Sequence, residues 1–135
     1  PIPLNHPNGG YGYKFIEEGK AFVFLSDNEL DFQHEGGLSR AKYIEFCQGA
    51  DLLVHDAQYT EEEYKFTRGW GHSTFGDAID LAIEASVKSL GLFHHDPDRS
   101  DDDLSRQIEL CQERILRKGG MTECFATAEG MEIDL

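Results

Sequence analysis

The chain contains six histidines, and five of them follow a hydrophobic run or sit in a loop beside Gly, Asp or Pro. His6 lies in Asn5-His6-Pro7-Asn8-Gly9-Gly10, and His72 lies in Trp70-Gly71-His72-Ser73-Thr74. His55 and Asp56 follow Leu52-Leu53-Val54, and His94-His95-Asp96 follows Leu90-Gly91-Leu92-Phe93. Asp27 comes two residues after the apolar run at 21–25. Taken alone, any one of these histidines reads as a hydrogen-bonded loop residue. Independent structural histidines, however, have no reason to recur with aspartates at the ends of hydrophobic strands. Strand ends that share one edge of a sheet converge in space. Imidazole and carboxylate converging there are the ligand types that bind zinc or, with more oxygen, manganese or iron.

The elements that must position these residues can be read from turn and cap signals. Residues 11–16 and 21–26 read as two strands joined by Glu17-Glu18-Gly19-Lys20, a β-hairpin. Residues 38–48 have helical spacing at Ala41, Ile44 and Cys47, with Gly49 as the stop, and residues 51–55 form a buried type of strand. Thr60 and Glu63 have capping-box spacing for a short helix. Ser73 or Thr74 caps the next helix, whose Ala78, Leu81, Ala82 and Ala85 recur on one face. Residues 89–93 are again a short apolar strand. Ser100 precedes Asp101, Asp102 and Asp103, acids that favour the positive end of a helix dipole. Leu104, Ile108, Cys111 and Ile115 line that helix, and Gly119-Gly120 closes it. Residues 124–127 and 131–135 are expected to form a final hairpin turning at Glu129-Gly130. The order predicts an α/β chain of the α+β type, a mixed sheet with its helices gathered on one face. Its other face then lacks a partner.

Composition narrows the function. With 135 residues the chain is one domain or part of one, large enough to bury roughly two-thirds of its unfolded surface. Twelve basic against 26 acidic residues give a net charge of −14, and the lysines are scattered. Such a surface argues against a nucleic-acid partner, which needs clustered Lys and Arg to displace counterions. No apolar run approaches the ~20 residues that span a bilayer, and no signal peptide is evident, so neither a membrane nor secretion is expected. Three cysteines without a CxxC pair fit a reducing cytoplasm. The opening Pro1-Ile2-Pro3 without Met leads to the expectation of processing or of a segment cut from something longer.

Five segments taken together add a family resemblance. Asn5-His6-Pro7 leading into Gly10-Tyr11-Gly12-Tyr13, then Leu25-Ser26-Asp27, Leu53-Val54-His55-Asp56-Ala57, Gly71-His72-Ser73-Thr74 and Leu92-Phe93-His94 resemble, in order, the later motifs of the metallo-β-lactamase-fold hydrolases. The branch is the one containing ribonuclease Z and bacterial phosphodiesterases, and the resemblance covers residues 4–135. It implies that His6 is the third histidine of metal site one, Asp27 the carboxylate bridging both metals, and His94 the terminal histidine of site two. By the same resemblance, His72 stands near the scissile phosphate and donates a proton to the leaving oxygen. His55 and Asp56 are the His-acid pair that orients it. His95 and Asp96 have no firm counterpart and are candidates either for the pocket edge or for supporting the ligands from behind. His34 is expected on a surface loop, and Trp70 and Tyr59 line either a substrate pocket or the core.

The resemblance further implies two divalent cations, zinc foremost with manganese and iron as alternatives, and hydrolysis of a small phosphodiester or related ester by a metal-bound hydroxide. The family's HxHxDH motif precedes the part of the family that this chain matches, and it is absent. Residues 1–135 are therefore expected to be a single partial domain, the second half of an αββα sandwich. Only His6 with Asp27, and Asp27 with His94, then remain as metal ligands, too few for stable four-coordinate zinc. The chain alone is expected to bind metal weakly and to be inactive. The expected occupant of its uncovered sheet face is the missing N-terminal half or a second copy of the chain. The alternative is an interaction or dimerisation domain whose metal site is vestigial.

Overall fold

The computed structural model describes residues 1–135. Its elements run β1 (Ile2–Pro3), β2 (Tyr11–Glu17), β3 (Lys20–Leu25), α1 (Arg40–Cys47), β4 (Leu52–Asp56), α2 (Glu61–Thr67), α3 (Phe75–Glu84), β5 (Ser89–Phe93), α4 (Asp101–Arg117) and β6 (Glu123–Ala126). The six strands form one sheet in chain order. β1–β2 and β2–β3 pair antiparallel, and β3 to β6 are parallel neighbours. This is the mixed sheet expected. The C-terminal ends of β3, β4, β5 and β6 consequently lie along one edge, and the residues that follow them are brought side by side.

Local signals set the helix starts. The Thr60 hydroxyl accepts from the Glu63 amide while the Glu63 carboxylate accepts from the Thr60 amide, a complete capping box. Of the two possible caps for α3 it is Thr74 that serves, accepting from the Asp77 amide, and Ser100 does the same for α4 from Asp103.

Residue alternation then divides the sheet into two unlike faces. Val23, Leu25, Leu53, Leu90, Leu92 and Cys124 point to the helical side and form one buried cluster with Tyr43 and Cys47 of α1, Phe75, Ile79 and Leu81 of α3, and Cys111 and Ile115 of α4. The opposite face carries a row of rings. Tyr13 stacks on Phe15 at 6.2 Å between centroids, Phe15 on Phe22 at 5.8 Å, and Phe24 meets Phe93 edge-on at 5.4 Å. Tyr13 and Phe15 are 45% and 56% exposed, so the β2 end of that face is left uncovered by this chain.

The sequence-based reading of the C-terminus needs correction. Residues 131–135 form no strand, and β6 pairs only with β5, so the final hairpin does not exist. The short β1, too brief to show a period of two, was not anticipated. No helix is long and apolar enough to cross a membrane.

Candidate active site

Five of the residues singled out by type come together at the C-terminal edge of the parallel strands. His6 arrives on the segment between β1 and β2, Asp27 just beyond β3, Asp56 as the last residue of β4, His72 on the loop before α3, and His94 directly after β5. Ligand-capable atoms of His6, Asp27 and His72 lie within 4.8 Å of one another, and so do those of Asp56, His72 and His94. The His72 ring stacks on His94 at 4.5 Å and meets His6 edge-on at 5.5 Å. Nε2 of His94 stands 3.6 Å from an Asp27 carboxylate oxygen, beyond hydrogen-bond distance. Asp27 and His94 are both partly open to solvent, so the cluster has an accessible side.

Asp56 is buried beneath the cluster. Its Oδ2 accepts from His72 Nδ1 at 2.6 Å and from the Asn28 amide at 3.2 Å, and its Oδ1 accepts from the amides of Gln58 and Ser73 at 3.1 and 3.4 Å. Four donors fill the lone-pair directions that a carboxylate offers. Asp56 is therefore spent on orientation and is not a free ligand. The bond fixes Nδ1 of His72 as its inner atom, which leaves Nε2 for the open side. Burial works to lower the His72 pKa, but the hydrogen bond and charge of Asp56, reinforced by Asp27 and Glu29, outweigh it and hold the imidazole above its ordinary value. Burial in turn pushes the Asp56 carboxyl up, opposed by His72. His6 moves the other way, lowered by burial and then by the neighbouring His72, and so is neutral at neutral pH, as a metal ligand must be.

His55 stands apart from this group. It does not touch His72. Its Nε2 accepts from the Asn28 side-chain amide at 3.1 Å and its Nδ1 donates to the Asp56 carbonyl at 2.6 Å, because period-two alternation turns it to the helical face while Asp56 turns away. His55 supports the loop behind Asp27, and of this adjacent pair only Asp56 bonds His72.

Other expectations also shift. His34 is no surface residue. Its side chain is nearly covered and bonds the buried Glu29 at 2.7 Å. His95 donates to the Thr127 carbonyl at 3.1 Å, tying the end of β5 to the end of β6, and Asp96 accepts from Gln58. Tyr59 is buried with its ring 6.2 Å from that of His72, whereas Trp70 is 61% exposed.

The polar residues that bind the loops together were not foreseen. The Asn5 amide donates to the Asn28 side chain at 2.8 Å, and the Glu29 amide returns a bond to the Asn5 carbonyl at 2.8 Å. The Ser73 hydroxyl donates to the Asn28 carbonyl at 2.6 Å and accepts from the Leu30 amide at 3.1 Å. All four of Asn5, Asn28, Glu29 and Ser73 are buried. As residue types they resemble any solvated loop, and only their burial reveals their part.

The chemistry of the donor set fits divalent cations. Three imidazoles and a carboxylate converge, and Nδ1 of His94 is buried without a hydrogen-bond partner. His94 also has φ of +58°, a conformation that costs a non-glycine residue about 1–3 kcal/mol and clusters at functional sites. His6, Asp27, His72 and His94 are the side chains placed within reach of a cation on the open side of Asp56. His72 is near enough to both groups to be either a ligand or a proton donor.

No protein-family model matches the chain. Ribonuclease Z of Brevibacillus brevis is 38% identical over 95 residues, covering 68% of this chain and 27% of that protein. Ribonuclease Z of Ignicoccus hospitalis is 33% identical over 108 residues, covering 73% and 34%, and that of Saccharolobus islandicus is 48% identical over 58 residues, covering 43% and 19%. The chain thus spans about a third or less of the length of these relatives. Among solved structures, the metallo-β-lactamase fold protein YhfI from Bacillus subtilis superposes with a TM-score of 0.68 at 18% identity, over 96% of this chain and 46% of that one. The short form of human tRNase Z gives 0.68 at 22% identity, over 98% and 40%. The fold is the metallo-β-lactamase fold in part. The ribonuclease name of the sequence relatives weighs against the expectation, drawn from charge, that disfavours a nucleic-acid partner.

Proposed function

We propose that this chain, a partial homologue of ribonuclease Z built on part of the metallo-β-lactamase fold, is the C-terminal half of a dinuclear metal-dependent phosphodiester hydrolase. The reading rests on one observation, the convergence of His6, Asp27, His72 and His94 on the open side of Asp56. Asp27 lies close to both His6 and His94 and is the carboxylate that would serve both cations. Divalent cations held there, zinc foremost, would supply polarisation of the phosphate and a nucleophilic water. The chain's own part is to orient and to move a proton. Asp56 fixes the His72 ring through Nδ1, stabilises its protonated form, and presents Nε2 to the leaving oxygen, a general-acid arrangement. The ringed sheet face takes the N-terminal half with its HxHxDH ligands. Both RNA and small phosphodiesters are substrates to be tested, since the relatives' name favours the first and a net charge of −14 the second.

The test begins with zinc affinity of this chain, measured against a competing chelator, beside a His6→Ala, Asp27→Ala, His94→Ala triple variant. Weak binding that the triple variant loses is the expected result. Binding unchanged by the three substitutions refutes the ligand assignment. The intact enzyme carrying this chain is then assayed on a chromogenic phosphodiester and on a structured RNA, with and without chelator. Hydrolysis that persists in chelator, or no hydrolysis of either substrate, refutes the hydrolase reading.

A further inference from the structure

Glu29 presents a side chain that is completely buried and lies outside the metal-ligating cluster. Four donors converge on its carboxylate. The Tyr64 hydroxyl donates at 2.5 Å and the Gly69 amide at 2.6 Å to one oxygen, and the Gly71 amide at 2.8 Å and His34 Nε2 at 2.7 Å to the other. Burying a carboxylate is costly unless its lone pairs are matched in this way, and an apolar packing would serve stability as well or better. The identity of the donors shows what the carboxylate holds. Two of them are backbone amides of the loop that ends in His72.

That loop has little freedom elsewhere. Gly71 has φ of +103°, and a Cβ there would lie 2.2 Å from Cδ2 of His6, so the backbone passes directly against a candidate ligand. Behind His72, Ser73 is held by Asn28 and by Asp56. Ahead of it, Gly69 and Gly71 are held only by Glu29 on their amide side. The tripeptide Asp27-Asn28-Glu29 therefore carries a candidate metal ligand at one end and clamps both flanks of His72 with the other two residues.

We infer that Glu29 is a positioning residue for His72, setting the distance between the proton-donating imidazole and the Asp27 side of the centre. This inference rests on the hydrolase reading above. It distinguishes Glu29 from a purely structural carboxylate, because its removal should act on the step in which His72 takes part.

The experiment compares Glu29→Gln, which keeps the shape but turns an amide N–H2 towards donors, with His72→Ala and with the double variant, all in the intact enzyme. Two phosphodiesters are used, one releasing p-nitrophenolate and one releasing an alkoxide. An alkoxide needs a proton on departure and p-nitrophenolate does not. Glu29→Gln is expected to slow the alkoxide substrate about 10- to 100-fold, at or below the range of a lost general acid, and the p-nitrophenyl substrate less than about threefold. It should add nothing in the His72→Ala background. Equal losses on both substrates, or a loss that adds to that of His72→Ala, overturn the inference. Amide hydrogen exchange supplies a readout independent of turnover. Gly69 and Gly71 should exchange faster in Glu29→Gln while α3 and the sheet do not, and unchanged exchange at both glycines also overturns it. If Glu29→Gln does not fold, Tyr64→Phe removes one donor of the four and is held to the same substrate and exchange criteria. An enzyme inactive in its parent form with normal glycine protection refutes the hydrolase reading and leaves the clamp standing, so the two failures are distinct.

Discussion

His55 gives a stability prediction whose size follows from its surroundings. The imidazole is completely buried, with Nε2 accepting from Asn28 and Nδ1 donating to the Asp56 carbonyl. A second ring proton would point donor against donor at Asn28. Burial, the dominant cause, pushes its pKa down from 6.5 to about 4. The unfolded chain takes up a proton near 6.5 that the folded chain refuses until about pH 4, so the unfolded state binds more protons in that window and stability falls as pH falls. At 1.36 kcal/mol per unit, the lost stability relative to pH above 7 is about 2 kcal/mol at pH 5 and about 3 kcal/mol at pH 4. The assay is urea unfolding of the metal-free protein between pH 7 and pH 4, beside His55→Gln. The variant starts less stable, having lost a matched buried pair worth about 1–3 kcal/mol, but its disadvantage should shrink or reverse by about 2–3 kcal/mol on acidification. Carboxylates titrate in both proteins and cancel in the difference. Stability curves that stay parallel from pH 7 to pH 4, or diverge, would refute the buried neutral His55.

Further outcomes follow from the loop and sheet geometry. Gly71→Ala forces a left-handed backbone on a residue with Cβ, costing about 1–3 kcal/mol, and displaces His6; the expected result is a lowered unfolding midpoint together with weaker zinc binding in chelator competition, and unchanged metal affinity would contradict the close approach. Asp56→Asn removes the charge that raises His72, so the His72 imidazole should titrate at lower pH by NMR, whereas an unmoved value would show that the Asp56 bond does not govern it. The aromatic face predicts concentration-dependent self-association of the chain alone by sedimentation, reduced when Phe15 and Phe22 are both replaced by Glu; a monomer at all concentrations would mean that the face needs no cover.

The parts of this molecule legible in sequence are those governed by local chemistry. Thr60 and Glu63 mark a capping box with their side chains alone, and the turn at Gly19 between two strand-like runs defines the β2–β3 hairpin. Convergence of Asp27, Asp56 and His94 was legible from their places at strand ends, since parallel pairing of β3, β4 and β5 aligns those ends, whereas His6 and His72 stand in loops and were drawn to the site only by the family resemblance. The partner of each residue was not. His55 and Asp56 are adjacent in sequence yet face opposite sides of the sheet, so their joint assignment to His72 divided. Glu29 and His34 read as loop polar residues because burial of a loop is decided by chain segments 35 to 42 residues away. Residues 131–135 alternate like a strand yet do not pair, although the outer edge of β6 is open, so alternation alone does not secure a strand.

The bonds that hold the site together are long in sequence. Asn5 reaches Asn28 across 23 residues, Asn28 reaches Asp56 across 28, Glu29 reaches Gly71 across 42, and Ser73 reaches back to Asn28 across 45. Each such closure costs chain entropy before it returns any stability, and contacts of this separation slow folding. The helices and the β2–β3 hairpin close over short distances and can form first. A partly folded chain would then contain every ligand residue that this chain supplies and yet have no site, so its weak metal binding would come late and would signal that the whole chain had found its native arrangement.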